Sequence, residues 1–260
     1  MLALTCHGDK ANPALVMIHG FLGSGADWTP LLPELTRYFY CICIDLPGHG
    51  NSPALSLDTP GFYRVAAEIH QSISALHINM YHLLGYSLGG RISLHIARQN
   101  SEQILSLHME SSHPGLTTAS DKEVRLRNDK MWNSRLTSLN LNEFLNAWYQ
   151  QGVFSELSVV ARQALVEKRS KNSAQALQSI YLATSLAVQE DLSQLPNQIS
   201  APCHYYVGKD DSKFLALALN WQDQSSLTVH QFDRAGHNIH LAAANKFCQQ
   251  LILQLTETPQ

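Results

Sequence analysis

Short runs of consecutive apolar residues alternate with stretches whose apolar positions recur every three or four residues. Leu15 to His19 predicts a buried strand, followed by a turn over Gly20-Phe-Leu-Gly-Ser-Gly25. Asp27 to Tyr38 can hold a short helix. Tyr40 to Leu46 predicts a second strand, ended by Pro47-Gly48-His49-Gly50. Phe62 to Leu76 carries Val65, Ile69, Ile73 and Leu76 at helical spacing. Met80 to Leu84 and Ile104 to Met109 predict two more strands, with a helix from Arg91 to Gln99 between them. Strands alternating with helices imply a parallel sheet covered on both faces, an α/β fold.

The rhythm changes after His113-Pro114-Gly115. From about Ser120 to Glu190 the spacing predicts only helices, over Asp121 to Leu136, Leu141 to Gln150, Ser158 to Arg169 and Ser173 to Val188. Strands resume at Cys203 to Val207 and Leu227 to Phe232, and Ala242 to Leu255 predicts a terminal helix. The sheet pattern continues after the helical stretch, so that stretch reads as an insertion and not as a separate domain. We divide the chain into an α/β core over 1–114, a helical cap over 115–196 and the rest of the core over 197–260. A cap between two sheet strands most simply covers a pocket. No repeat or low-complexity tract is present.

At 260 residues the chain can bury a large core without disulfides or a metal. A net charge of −3 and a pI of about 6.5 give no footprint for nucleic acid, and no basic run suits an anionic membrane. Apolar runs are too short for a membrane span, and the N-terminus lacks the character of a signal peptide. The cysteines Cys6, Cys41, Cys43, Cys203 and Cys248 are odd in number and mostly lie in apolar runs. They read as reduced, buried thiols of a cytoplasmic protein.

Candidate chemistry centres on Gly85-Tyr86-Ser87-Leu88-Gly89. This is G-x-S-x-G between an apolar run and a helix, the context of a sharp strand-to-helix turn with serine at its apex. The residues two before and two after that serine must be small, and Gly85 and Gly89 are. An active serine needs a histidine base and a carboxylate to orient it, in the chain order serine, acid, histidine. Asp211 follows the strand ending at Val207, and His237 lies in Ala235-Gly236-His237-Asn238 after the strand ending near Phe232. Asp210 competes with Asp211, but it reads as a solvent-facing or helix-capping residue. His240 could form a His-x-x-His metal pair with His237, but no third ligand is near. Two N–H groups for a developing oxyanion are expected from Leu88 and Phe21. His19 reads as structural. Arg91, one turn past Ser87, is either an internal ion-pair partner or a carboxylate ligand, and position alone leaves this open. The cap adds Arg125, Arg127 and Arg169 among aromatics that include Trp148 and Phe154, and cap arginines more often face water.

These segments resemble a known family. His19-Gly-Phe21, Asp45-Leu-Pro-Gly-His-Gly50, Gly85-Tyr-Ser-Leu-Gly-Gly-Arg91, His113-Pro-Gly-Leu116, Trp148-Tyr-Gln-Gln151, Thr184-Ser-Leu-Ala-Val-Gln189, Asp211-Ser-Lys-Phe214 and Arg234-Ala-Gly-His-Asn238 are similar to those of bacterial 2-succinyl-6-hydroxy-2,4-cyclohexadiene-1-carboxylate synthases. These are α/β-hydrolase-fold enzymes of menaquinone biosynthesis. The resemblance implies a lyase that eliminates pyruvate from 2-succinyl-5-enolpyruvyl-6-hydroxy-3-cyclohexene-1-carboxylate, with no cofactor and no metal. It implies that Arg91, Arg125 and Arg169 bind the three carboxylates of this small-molecule substrate. Tyr86, Trp148 and Phe154 would shape the pocket, and Arg127 would stay outside it. Ser87 would act as a base, with Asp211 and His237 behind it and with Phe21 and Leu88 N–H facing the enolate oxygen. A carboxylic ester or thioester hydrolase with Ser87 as nucleophile is the rival reading. We favour a monomer with no nucleic-acid partner and no membrane insertion.

Overall fold

A computed structural model describes residues 1–257. Its centre is a seven-stranded sheet built from β1 (Leu4–His7), β2 (Ala14–Ile18), β3 (Tyr40–Ile44), β4 (Tyr81–Tyr86), β5 (Ile104–Glu110), β6 (Cys203–Gly208) and β7 (Thr228–Phe232). The strands run in the order β1-β3-β2-β4-β5-β6-β7, and only β1 is antiparallel to its neighbour. The chain winds outward from β2 in both directions, so the order reverses between β2 and β4. Open α/β sheets place ligands at the C-terminal edge of such a reversal.

The inner strands are wholly buried, which is why they read as unbroken apolar runs. Alternate residues divide between two cores. Val16, Ile18, Ile42, Ile44 and Leu83 pack against α2 (Phe62–Ser74), α3 (Leu88–Gln99) and α8 (Ser212–Gln222). Leu15, Met17, Cys41, Cys43 and Leu84 pack on the other face against α1 (Leu32–Leu35) and α10 (Ala244–Glu257). Cys6 departs from expectation. It lies exposed on β1, a short edge strand whose half-buried pattern hides it in the sequence.

Between β5 and β6 the chain is helical: α4 (Ala119–Ser138), α5 (Leu141–Trp148), α6 (Val159–Arg169) and α7 (Ala174–Tyr181). Thr118, Asn140, Ser158 and Ser173 cap these four N-termini through their side chains. The expected helix from Ser173 to Val188 stops at Tyr181, and Leu186–Val188 forms only a short 3₁₀ turn. The cap has its own apolar cluster, with Trp132, Phe144, Leu145, Phe154 and Leu177, and Phe21 joins it from the core. No helix among the described residues is long and apolar enough to cross a membrane.

The α1/α10 face of the sheet carries a buried polar row. Hydrogen bonds link His82 to Ser106 at 2.6 Å, Ser106 to His108 at 2.7 Å and His108 to Tyr206 at 2.8 Å. His204 bonds His230 on the neighbouring strand at 3.1 Å. Burial pushes the His82 and His204 imidazoles down to about 4, and burial with neighbouring histidines holds His108 well below its ordinary value too. Neutral imidazole is therefore the form that folds, while the unfolded chain takes up protons near 6.5. This contribution is complete above pH 6.5 and is lost as pH falls toward about 4. Denaturant midpoints measured across that window should fall steadily, and His204→Gln should flatten the slope.

Candidate active site

Ser87 sits between β4 and α3 with φ 51° and ψ −110°, a left-handed backbone that L-residues rarely adopt. Close packing on both sides holds it there. A Cβ on Gly85 would overlap Ser93 Oγ and the Gly89 carbonyl, and one on Gly89 would overlap the carbonyls of Ile18 and His19. The Ser87 N–H donates to the Glu110 carbonyl at 2.8 Å, and its carbonyl accepts the Arg91 N–H at 3.1 Å. The strain is local and is offset by these contacts.

The structure brings Ser87, His237 and Asp211 together. His237 Nε2 lies 3.3 Å from Ser87 Oγ, and His237 Nδ1 lies 2.7 Å from Asp211 Oδ2. Asp211 and His237 are both buried. Asp211 also caps α8, accepting the Phe214 N–H at 3.2 Å, while Asp210 is exposed, the solvent-facing one of the two roles expected for it. Leu88 is the first residue of α3, so its N–H has no acceptor inside the helix. Phe21 follows β2, and with Leu88, Ser87 and Arg91 it lines a small cavity of about 90 Å³. His19 is structural: its Nε2 accepts the Leu46 N–H at 2.9 Å.

A larger cavity of about 520 Å³ opens between core and cap. Ser87, His237 and Lys213 face it from below, and Arg125, Trp148 and Phe154 from the cap. Burial pushes the Arg91 guanidinium down to about 9, and Arg125 adds to the effect. Burial also brings His113 to about 4, helped by Arg91, Lys213 and Arg125 together. Arg91, Arg125 and Lys213 thus act on the same region, and the carboxylates of Asp129, Asp210 and Asp211 line the larger cavity with them. Arg91 Nη1 spends bonds on the Thr184 carbonyl at 2.9 Å and Gln189 Oε1 at 3.4 Å, both neutral acceptors. Arg125 grips Asp129 through Nε at 2.8 and 2.9 Å, which leaves its two terminal nitrogens off that carboxylate. Asp129 is fixed in turn by Ser185 Oγ at 2.6 Å. Arg91 with its neutral acceptors and Arg125 with its terminal nitrogens off Asp129 can each still take a carboxylate oxygen.

Two residues expected at the substrate, Arg169 and Tyr86, line neither cavity. Arg169 is 6 % exposed and lines neither cavity. Its Nη1 and Nη2 each meet an Asp27 oxygen at 2.7 Å, a bidentate pair that Lys168 joins at 2.8 Å. Burial alone would raise the Asp27 carboxyl, but Arg169 and Lys168 hold it well below the usual carboxylate range. Arg169 is thereby occupied as an ion-pair partner. Tyr86 is buried behind His237, with ring centroids 5.5 Å apart, and its hydroxyl donates to Asn238 Oδ1. It supports the site without lining it. Arg127 pairs with Glu123 on the surface. His240 pairs with Glu110, and no group of three or more metal-ligating side chains is present among the described residues. Lys213 and Asp129 were not singled out in the sequence. Lys213 stands two residues past Asp211, and its place in α8's first turn was the available signal.

A family model described as alpha/beta hydrolase fold matches residues 13–244. A 2-succinyl-6-hydroxy-2,4-cyclohexadiene-1-carboxylate synthase of Yersinia pestis (strain Pestoides F) is 38 % identical over 249 residues, covering 95 % of this chain and 89 % of that protein. The synthase of Yersinia pseudotuberculosis serotype O:3 (strain YPIII) matches equally well. Among solved structures, MenH from S. aureus superposes with a TM-score of 0.90 at 23 % identity, covering 99 % of both chains. An esterase from Exiguobacterium antarcticum superposes at 0.78 and 19 % identity, covering 98 % of this chain and 95 % of that one.

Removing one partner of a buried ion pair leaves the other charge uncompensated. Arg169→Ala should therefore destabilise the fold by about 3–5 kcal/mol, read as a lowered denaturant midpoint. An unchanged midpoint with a raised KM would instead make Arg169 a substrate ligand.

Proposed function

The chain belongs to the 2-succinyl-6-hydroxy-2,4-cyclohexadiene-1-carboxylate synthases, within the α/β-hydrolase fold, and from that premise we propose how its residues carry the reaction. It is a carbon–oxygen lyase of menaquinone biosynthesis. It eliminates pyruvate from 2-succinyl-5-enolpyruvyl-6-hydroxy-3-cyclohexene-1-carboxylate. The single observation that supports this assignment of roles is the triad beside a cavity that Arg125 and Lys213 line, with Arg91 in the small cavity next to Ser87.

The change from a 3-cyclohexene to a 2,4-cyclohexadiene is a 1,4-elimination. The C2 proton leaves, the double bond moves from C3–C4 to C4–C5, and the C5–O bond breaks. The C2 proton is acidic because the succinyl ketone can take the charge as an enolate. Ser87 Oγ removes it while passing its own proton to His237 Nε2, and Asp211 steadies the imidazolium. Phe21 and Leu88 N–H receive the enolate oxygen. Collapse of the enolate forms the C2–C3 double bond and expels enolpyruvate, which becomes pyruvate on taking a proton. Serine is a poor base in water, so the step depends on stabilising the enolate as it forms.

Arg91, Arg125 and Lys213 bind the substrate carboxylates, with Trp148 and Phe154 against the ring. Arg125 is held ready by Asp129. The reaction takes place in the cytoplasm, where the five free cysteines stay reduced.

Incubation with the enolpyruvyl substrate should release diene and pyruvate in equal amounts. Ser87→Ala should lower kcat at least about 10³-fold while leaving substrate binding. Near-normal turnover would remove Ser87 from the chemistry, and an acyl-serine with no pyruvate release would establish the hydrolase instead. Arg91→Ala and Lys213→Ala should each raise KM about tenfold, the loss of one charge-assisted contact, measured in the same assay.

A further inference from the structure

A second histidine–carboxylate pair lies beside the triad, and the reaction as written does not use it. Glu110, the last residue of β5, and His240, in α9 (Ile239–Ala242), are 0 % and 1 % exposed. His240 Nδ1 lies 2.9 and 2.8 Å from the two Glu110 carboxylate oxygens, and the His240 main-chain N–H donates to Oε1 at 3.0 Å. The rings of Trp28 and Tyr86 cover the imidazole, each with centroids 4.7 Å apart. A carboxylate so deep is costly unless its oxygens are satisfied, and here one residue of the histidine-bearing segment satisfies both.

Backbone contacts tie this pair to the reacting groups. The Glu110 carbonyl accepts the N–H of Ser87 at 2.8 Å. Its side chain holds His240, three residues past His237. Tyr86, adjacent to Ser87, packs against both histidines and donates to Asn238 between them. One residue therefore fixes the serine through its main chain and the histidine segment through its side chain. We propose that Glu110 and His240 form a positioning pair that sets the reach from His237 Nε2 to Ser87 Oγ, 3.3 Å in this structure. Neither touches the substrate cavity. The inference rests on Ser87 and His237 carrying the elimination.

The test compares kcat, KM and melting temperature for Ser87→Ala, Glu110→Ala, Glu110→Gln and His240→Asn, with rates taken well below melting. Glu110→Ala should lower kcat about 100-fold with KM within about twofold, because a small misplacement of a catalytic group is that costly. Glu110→Gln keeps an acceptor for the His240 N–H and a donor facing Nδ1, so it should recover kcat to within about fivefold. His240→Asn should fall as Glu110→Ala does, and it carries the test if the alanine variant does not fold. Folded Glu110→Ala or His240→Asn with normal kcat would overturn the pairing role, as would Glu110→Gln no better than Glu110→Ala. A Ser87→Ala variant with normal turnover would instead overturn the roles assigned to the triad.

Discussion

The structure depends on one close approach, where β2, β4 and α3 meet around Ser87. Three backbone segments share a space that no Cβ can enter at Gly85 or Gly89. Gly20 is under the same constraint, since a Cβ there would press on the Tyr86 ring. That crowding keeps Ser87 at positive φ and leaves the first N–H of α3 without a partner in the helix. The parallel sheet then delivers Asp211 and His237 to the same edge, since β6 and β7 end beside β4 and β5. Chemistry at this edge follows from strand direction, and the catalytic residues come from loops far apart in sequence.

Charge divides the molecule into two regimes. Where charge is structural, it is fully paired, as Asp27 is with Arg169 and Lys168. Where ions meet the cavity, the pairing is partial. Arg91 bonds only neutral oxygens, and Arg125 uses its Nε and keeps its terminal nitrogens off the carboxylate. Guanidinium groups held by neutral or incomplete partners gain more from an incoming carboxylate than saturated ones would. An esterase shares this fold, so the fold by itself does not set the reaction.

What the sequence disclosed follows the range of the interactions concerned. The elbow was legible because its demands are local, a few residues of strand, glycine, serine and helix. Inner strands were legible as apolar runs because both faces are covered. Edge strand β1 was missed because Leu4–His7 is short and only half-buried. The pairing of Arg169 was not legible because its partner, Asp27, lies 142 positions away in another loop. Nothing in α6 announces that pairing. Lys213 went unassigned because an exposed lysine in the first turn of a helix looks like any surface lysine. Glu110 and His240 are separated by 130 positions, and only the sheet brings them together.

The buried clamp on Asp27 also constrains how the enclosure can move. It seizes the C-terminal end of α6, and Asn172 just beyond it donates to the Leu22 carbonyl at 2.9 Å. Swinging that corner outward would drag opposite charges apart in a dry interior. At the ends of α5 and α7 the core meets the cap through rings, Phe21 against Trp148 and Tyr181. Aromatic faces slide past one another without separating charge. The enclosure is therefore tied to the core by charge at the end of α6 and by aromatic contact at α5 and α7, two attachments that differ in what it costs to separate them.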